Sequence, residues 1–266
     1  MKIGIVIPLK AKSVAKNWDL TCRNLDLTIK SICNQTSCAF RAVVVGHDCP
    51  DYFTKDYSSS IGLIEFLAFA CSPPPVLSVN ETDNQVRFEL DRCAKIMKGM
   101  MFLNSLNVGI THWYALDADD LINKNFVKTL IGYGSRDAFV LDYGYHFFKS
   151  TGIINKDNEF SLYCGSSTII STRFLNLPQE FSSADVKKFI FGGVSHVHMK
   201  KYLVSNGVDV CTPDERLVMY VRDNGENISN AAYCNTLFLR LKKHLRMILK
   251  FSWNSRKIKD SFSILL

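Results

Sequence analysis

The chain has 266 residues, 47% hydrophobic, 12% aromatic and 21% charged, which is enough apolar material for one large α/β domain and excludes a disordered, collagenous or coiled-coil main state. The formal net charge is +7, yet eight bases lie between Arg240 and Lys259 against Asp260 alone, so the preceding residues balance. A neutral body with a basic tail argues against a general nucleic-acid surface, and the absence of a long uncharged apolar run argues against a transmembrane helix.

The first element is a β-branched run, Ile3 to Ile7, closed by Pro8; it reads as a buried parallel strand rather than a signal peptide. Leu20 to Cys33 has helical spacing. Ala42 to Val45 is a second buried strand, ended by Gly46-His47-Asp48-Cys49-Pro50, and Val76 to Val79 is expected as a third, entered from a triple proline. Asn84 to Leu106 is a long helix, Trp113 to Leu116 a strand, Phe126 to Ile131 a helix and Phe139 to Tyr145 a strand. This alternation predicts an α/β fold with a mostly parallel central sheet and flanking helices. Beyond it, Thr168 to Ser171 and Leu217 to Val221 read as strands, Val197 to Ser205 as a helix, and Leu237 to Trp253 as a basic amphipathic helix. The nine cysteines are odd in number, scattered and without a Cys-x-x-Cys pair, which predicts free thiols in a reducing cytosol.

The segment richest in chemistry is Trp113-Tyr114-Ala115-Leu116-Asp117-Ala118-Asp119-Asp120, an apolar strand that runs into three carboxylates. Ligands of open α/β sheets sit beyond the carboxyl ends of strands. Carboxylates this close raise one another's pKa, and a hard divalent cation shared with phosphate oxygens removes that penalty. The competing reading is that Asp119 or Asp120 caps the next helix and Asp117 is a solvated strand end.

Four segments carry a resemblance to the family 2 glycosyltransferases of GT-A fold, over about residues 2 to 229. They are Ile3 to Pro8; Leu25 to Thr36, with its Ser31 and Asn34-Gln35-Thr36 turn; the Asp117-Ala118-Asp119 motif; and Tyr220 to Ser229. The resemblance implies transfer of a sugar from a nucleotide-diphosphate sugar to a glycan or lipid-linked acceptor, dependent on Mn²⁺ or Mg²⁺, with inverting stereochemistry. It implies that Asp117 contacts the nucleotide sugar, that Asp119 holds the metal together with Asp117, and that Pro8, Leu9, Lys10 and Ala118 border the nucleotide. Lys95 stands in the helix where the family places a cation near the diphosphate, with a solvated helix face as the alternative. Two departures stand out. The second strand ends in Gly46-His47-Asp48 instead of an Asp-Asp-Gly-Ser, so Asp48 or His47 would have to meet the base. Asn224 replaces a histidine in the closing motif.

Inverting transfer needs a general base for the acceptor hydroxyl. The family's Glu-Asp pair is missing here; Ser195-His196-Val197-His198 stands in its place, with Asp185 upstream. His196 and Asp185 are the candidates, against a purely structural role for both histidines. Gly165-Ser166-Ser167 reads as a turn that lets backbone N–H groups approach the donor sugar, or simply as a turn before a strand.

The division expected is a GT-A catalytic domain over 1–235 and a basic amphipathic tail over 236–266. The tail, with Phe251, Trp253 and Arg256-Lys257-Ile258-Lys259, fits peripheral attachment to an anionic membrane surface on the cytoplasmic side; the alternative is packing on the domain. Two other functions stay open: a non-catalytic GT-A-like nucleotide-sugar binding or scaffold protein, and a sugar-nucleotide pyrophosphorylase. The second is disfavoured because Lys10-Ala11-Lys12-Ser13 has no glycines.

Overall fold

The computed structural model describes residues 1–53, 63–226 and 255–264. A seven-stranded sheet forms the centre, in the order β10-β6-β9-β4-β1-β2-β3. Its strands are β1 (Ile3–Pro8), β2 (Phe40–Gly46), β3 (Ile64–Ala68), β4 (His112–Ala115), β6 (Ala138–Val140), β9 (Thr168–Ser171) and β10 (Val210–Cys211). All pairings are parallel except those of β9 with β4 and β6. The expected α/β class with a mostly parallel sheet is what the chain adopts.

Strand β1 is buried along its whole length because both faces of the sheet are covered. Ile3, Ile5 and Ile7 join the core beneath α1 (Trp18–Cys33), and Val6, Val43 and Val45 join the core beneath α2 (Glu81–Ser105), the two-residue period of a strand. Asn17 caps α1 by accepting the Leu20 N–H. Helix α2 lies close on the sheet through Gly99, where a Cβ would stand 2.5 Å from Val6 Cγ1.

Two strand expectations fail for physical reasons. The third strand is Ile64–Ala68, inside the apolar run that starts at Ile61, and not Val76 to Val79, whose residues are exposed. Three prolines there remove the backbone donors that a ladder needs. The stretch Phe139 to Tyr145 is two strands in two sheets: β6 ends at Val140, and β7 (Gly144–Phe148) belongs to a second sheet of order β5-β11-β7-β8. That sheet also contains β5 (Leu121–Ile122), β8 (Ile153–Asp157) and β11 (Val218–Arg222). Helix α3 (Phe126–Gly132) follows β5, and its N-cap is Asn125, so neither Asp119 nor Asp120 caps it.

Near the C-terminus α6 (Ser255–Ser261) packs on the second sheet. Ile258 and Phe262 are buried with Leu121, Ile154, Met219 and Val221. Asn34 Nδ2 donates to Ser263 Oγ at 2.9 Å, and the Lys124 N–H donates to the Ser261 carbonyl at 2.8 Å. The Arg256 to Lys259 stretch, read from sequence as part of a surface anchor, is thus held against the body. The expected helix Leu237 to Trp253 and the division at 235 lie outside the described residues. The cysteines of the described residues are all free thiols, and no helix among those residues is long and apolar enough to cross a membrane.

Candidate functional site

A cavity of about 720 Å³ opens where the carboxyl ends of β1 and β4 meet the first half of α2. Pro8, Leu9 and Lys10 enter it from β1, Asp117, Ala118 and Asp119 from the turn after β4, and Arg92 and Lys95 from α2. Of the sequence-derived candidates, Pro8, Leu9, Lys10, Lys95, Asp117, Ala118, Asp119 and His196 line it together; Asp48 and Asp185 do not.

The three aspartates divide the work between them. Asp117 takes an ion pair from Arg92, Nε to Oδ1 at 2.7 Å, and its own N–H donates to Ser166 Oγ at 3.0 Å. Asp119 accepts from Asn224 Nδ2 at 2.7 Å. Burial, then the neighbouring Asp117 charge, pushes the Asp119 carboxyl from 3.8 up to about 6. Asp120 is 1% exposed and faces away from the cavity lining. It accepts from Ser166 Oγ at 2.7 Å, Cys164 Sγ at 3.2 Å and the Val221 N–H at 3.3 Å. Burial and the two neighbouring carboxylates raise its pKa well above the ordinary range. Asp120 is therefore a structural bolt that joins the acidic turn to the approach to β9 and to β11. The Gly165-Ser166-Ser167 turn, expected to bring N–H groups to a ligand, instead uses the Ser166 hydroxyl to hold the acidic turn in place.

The cation that reaches the aspartates is Arg92, which sequence reasoning missed. Gly165 packs against this pair: a Cβ there would stand 2.9 Å from Arg92 Nη2 and 3.2 Å from Asp117 Oδ2. The signal was present as helical spacing, because Arg92 lies one turn from Phe88, Glu89 and Lys95, all of which line the cavity. Lys95 is fully buried, and its Nζ donates to the Leu9 carbonyl at 2.8 Å and to Asp91 Oδ2 at 2.6 Å. Burial lowers its pKa, and Asp91 opposes the shift. The ammonium thus fastens α2 to the end of β1, and the alternative of a solvated helix face is overturned.

Lys10 donates to Glu226 Oε2 at 3.0 Å and to the Glu226 carbonyl at 2.9 Å. The same buried carboxylate accepts the Asn17 N–H at 2.6 Å, so it closes the loop after β1 onto the end of β11. Asn224, in the stretch after β11, reaches Asp119 as an amide donor. Gly225 holds φ at +86°, and a Cβ there would meet Leu20 Cδ2 at 2.6 Å. Asn227 to Ser229 lie outside the described residues.

Asp48 accepts the Lys12 N–H at 2.8 Å and lines a second, smaller cavity with Trp18, Cys22 and Tyr52. His47 is committed to the Ser72 carbonyl at 3.0 Å and to the edge of Phe69. Asp185 sits on the turn Ser183–Asp185, paired to Lys188 at 3.0 Å, and His198 is exposed away from the cavity.

His196 begins α5 (His196–Ser205) just after the short helix α4 (Ile190–Gly193). Helix α4 is held to α2 by the buried Cys93, whose Sγ donates to the Phe191 carbonyl at 3.1 Å. Gly192 is required there, since a Cβ would lie 2.1 Å from the Val186 carbonyl oxygen. The His196 ring lines the cavity. Burial and the Arg92 charge lower its pKa, against the pull of Asp117 and Glu89. A neutral imidazole at neutral pH follows, which is the form that accepts a proton.

The donor set suits a hard cation held mainly by its substrate. Asp117 and Asp119 each commit one oxygen to Arg92 or Asn224 and keep another, and among the described residues no group of three His, Cys, Asp or Glu forms a metal cage. Two carboxylates with phosphate oxygens completing the shell is the usual arrangement for Mg²⁺.

No protein-family model matches the chain, and no curated protein matches it. Solved structures do align. S. aureus TarS 1–349 matches with a TM-score of 0.44 and 14% identity, covering 83% of this chain and 60% of that one. The same fragment in complex with UDP-GlcNAc matches with a TM-score of 0.47 and 15% identity, covering 97% and 69%. A Desulfovibrio desulfuricans G20 protein described as a nucleotide-diphospho-sugar transferase matches with a TM-score of 0.38 and 9% identity, covering 94% and 98%. The chain spans about 60% of the length of the first of these structures.

Proposed function

We propose that the chain is a glycosyltransferase that moves a sugar from a nucleotide-diphosphate sugar to the hydroxyl of a glycan or lipid-linked acceptor, by an inverting displacement. The observation that carries this reading is the convergence in one cavity of the β1 end, the Asp117–Asp119 pair, the Arg92 guanidinium and a neutral His196. Arg92 and Lys10 would share the charge of a diphosphate, since both already hold carboxylates at the cavity wall. Asp117 and Asp119 would hold Mn²⁺ or Mg²⁺, which would neutralise the leaving nucleoside diphosphate when bound. His196 would take the proton of the attacking hydroxyl at a ring nitrogen. Its lowered pKa keeps it unprotonated at neutral pH. The Arg92–Asp117 and Asn224–Asp119 contacts keep the two carboxylates turned into the cavity, so little is reorganised on binding.

The basic segment before Ser255 would add contact with anionic lipid, while α6 keeps the end of the chain on the body. The test is a thermal-shift screen of UDP-, GDP-, CMP- and dTDP-sugars, UDP-GlcNAc included, with and without Mn²⁺, followed by donor hydrolysis for any hit. Wild type should bind one nucleotide class in a cation-dependent way, and Asp119→Ala should lose it. His196→Ala should keep binding and lose transfer. Binding without any turnover would instead select the scaffold reading.

A further inference from the structure

Tyr163 is a large aromatic side chain left 51% exposed, and it lines the cavity. Exposed aromatics at a cavity wall mark contact surface for a ligand more often than chance packing. Its seat is stiff on several sides. The ring meets the buried His146 in a T-shaped contact at 5.8 Å, and His146 in turn lies 3.0 Å from Asp157 on β8. The preceding residues are fastened to α5: Ser161 Oγ donates to Asp142 Oδ1 at 2.5 Å, and Lys200 pairs with the other oxygen of Asp142. The following residues are fastened to the acidic turn through Cys164 and Ser166 on Asp120.

These links place Tyr163 just after a turn that packs on α5, whose first residue, His196, lines the same cavity as Tyr163, Val194 and Met199. A half-exposed aromatic ring in the same cavity lining as a proton acceptor suits the apolar C–H face of a pyranose. We propose that Tyr163 is the platform of the acceptor subsite, taking a pyranose ring whose hydroxyl then points at His196. This rests on the transferase reading and names the acceptor class that the reading leaves open.

The test is saturation-transfer NMR on the full chain with UDP and a panel of methyl pyranosides, beside a thermal shift for UDP and for UDP-GlcNAc. The expected result is signal on the axial protons of at least one pyranoside, reduced about five-fold in Tyr163→Ala, the size of one aromatic contact, and retained in Tyr163→Phe. Both variants should shift with UDP as wild type does, which also shows that they fold. Pyranoside signal unchanged in Tyr163→Ala overturns the platform. So does a wild-type protein that binds UDP but no pyranoside, and in that case the nucleotide reading stands. A loss in Tyr163→Ala for UDP-GlcNAc but not UDP also overturns it, by moving the ring to the donor sugar. A wild type that binds a pyranoside but shows no shift in any nucleotide screen removes the transferase reading and, with it, the assignment of Tyr163 to an acceptor subsite.

Discussion

Asp119→Asn should make the metal-free protein more stable while removing its cation response. In the fold the Asp119 carboxyl is pushed up to about 6 by burial and by Asp117. The unfolded chain restores the ordinary value of 3.8. A group whose folded pKa is raised binds its proton more tightly in the native state, so below 3.8 it costs nothing and above about 6 its full cost is felt. At about 1.4 kcal/mol per pH unit, the ceiling is roughly 3 kcal/mol. Asp119 is only partly buried, so screening reduces this to about 1–2 kcal/mol. Asparagine has the same shape, keeps an oxygen for the Asn224 amide and removes the charge. For a domain of this size that gain is roughly 2–8 °C in Tm. The assay is thermal and urea unfolding in EDTA at pH 7.5 and at pH 4.5, with and without added Mn²⁺ after EDTA removal. The variant should exceed wild type at pH 7.5, the gap should shrink at pH 4.5, and Mn²⁺ should stabilise wild type alone. A variant less stable than wild type at pH 7.5, or a gap that does not change with pH, would refute the reasoning.

Arg92→Met should leave the fold intact and weaken nucleotide-sugar binding by about ten- to a hundred-fold, since one charge-assisted contact of this kind is worth roughly 1.5–3 kcal/mol; calorimetry with the nucleotide found in the screen reads it. Gly165→Ala has a milder geometry, because its Cβ meets the mobile end of Arg92. Unfolding midpoints should move little, while donor affinity falls as the pair with Asp117 is displaced. Phe262→Ala should cost about 3–5 kcal/mol, the usual range for a buried phenylalanine, in urea unfolding. A change under about 1 kcal/mol would show that α6 does not pack on the second sheet in solution.

Local sequence patterns were enough to place the central sheet and to bring the acidic turn to the cavity. Strand β1, with its unbroken β-branched run, and β4, running straight into acids, are local patterns, and local patterns place a strand end where a ligand binds. The sequence therefore sufficed for Pro8, Lys10, Asp117 and Asp119. It could not separate three adjacent aspartates into two that face a cavity and one that bolts the frame, because that depends on Ser166 and Val221, far away along the chain. It missed Arg92 and offered Lys95, since both lie on one helix and only the packed α2 decides which cation is buried against Asp91 and which reaches Asp117. It kept Asp185 beside His196 because distance along the chain says nothing of which way a turn faces. Composition and period are properties of neighbours in sequence, whereas the cavity is made by groups brought together from segments as far apart as Pro8 and Glu226. That convergence is what only the tertiary structure decided.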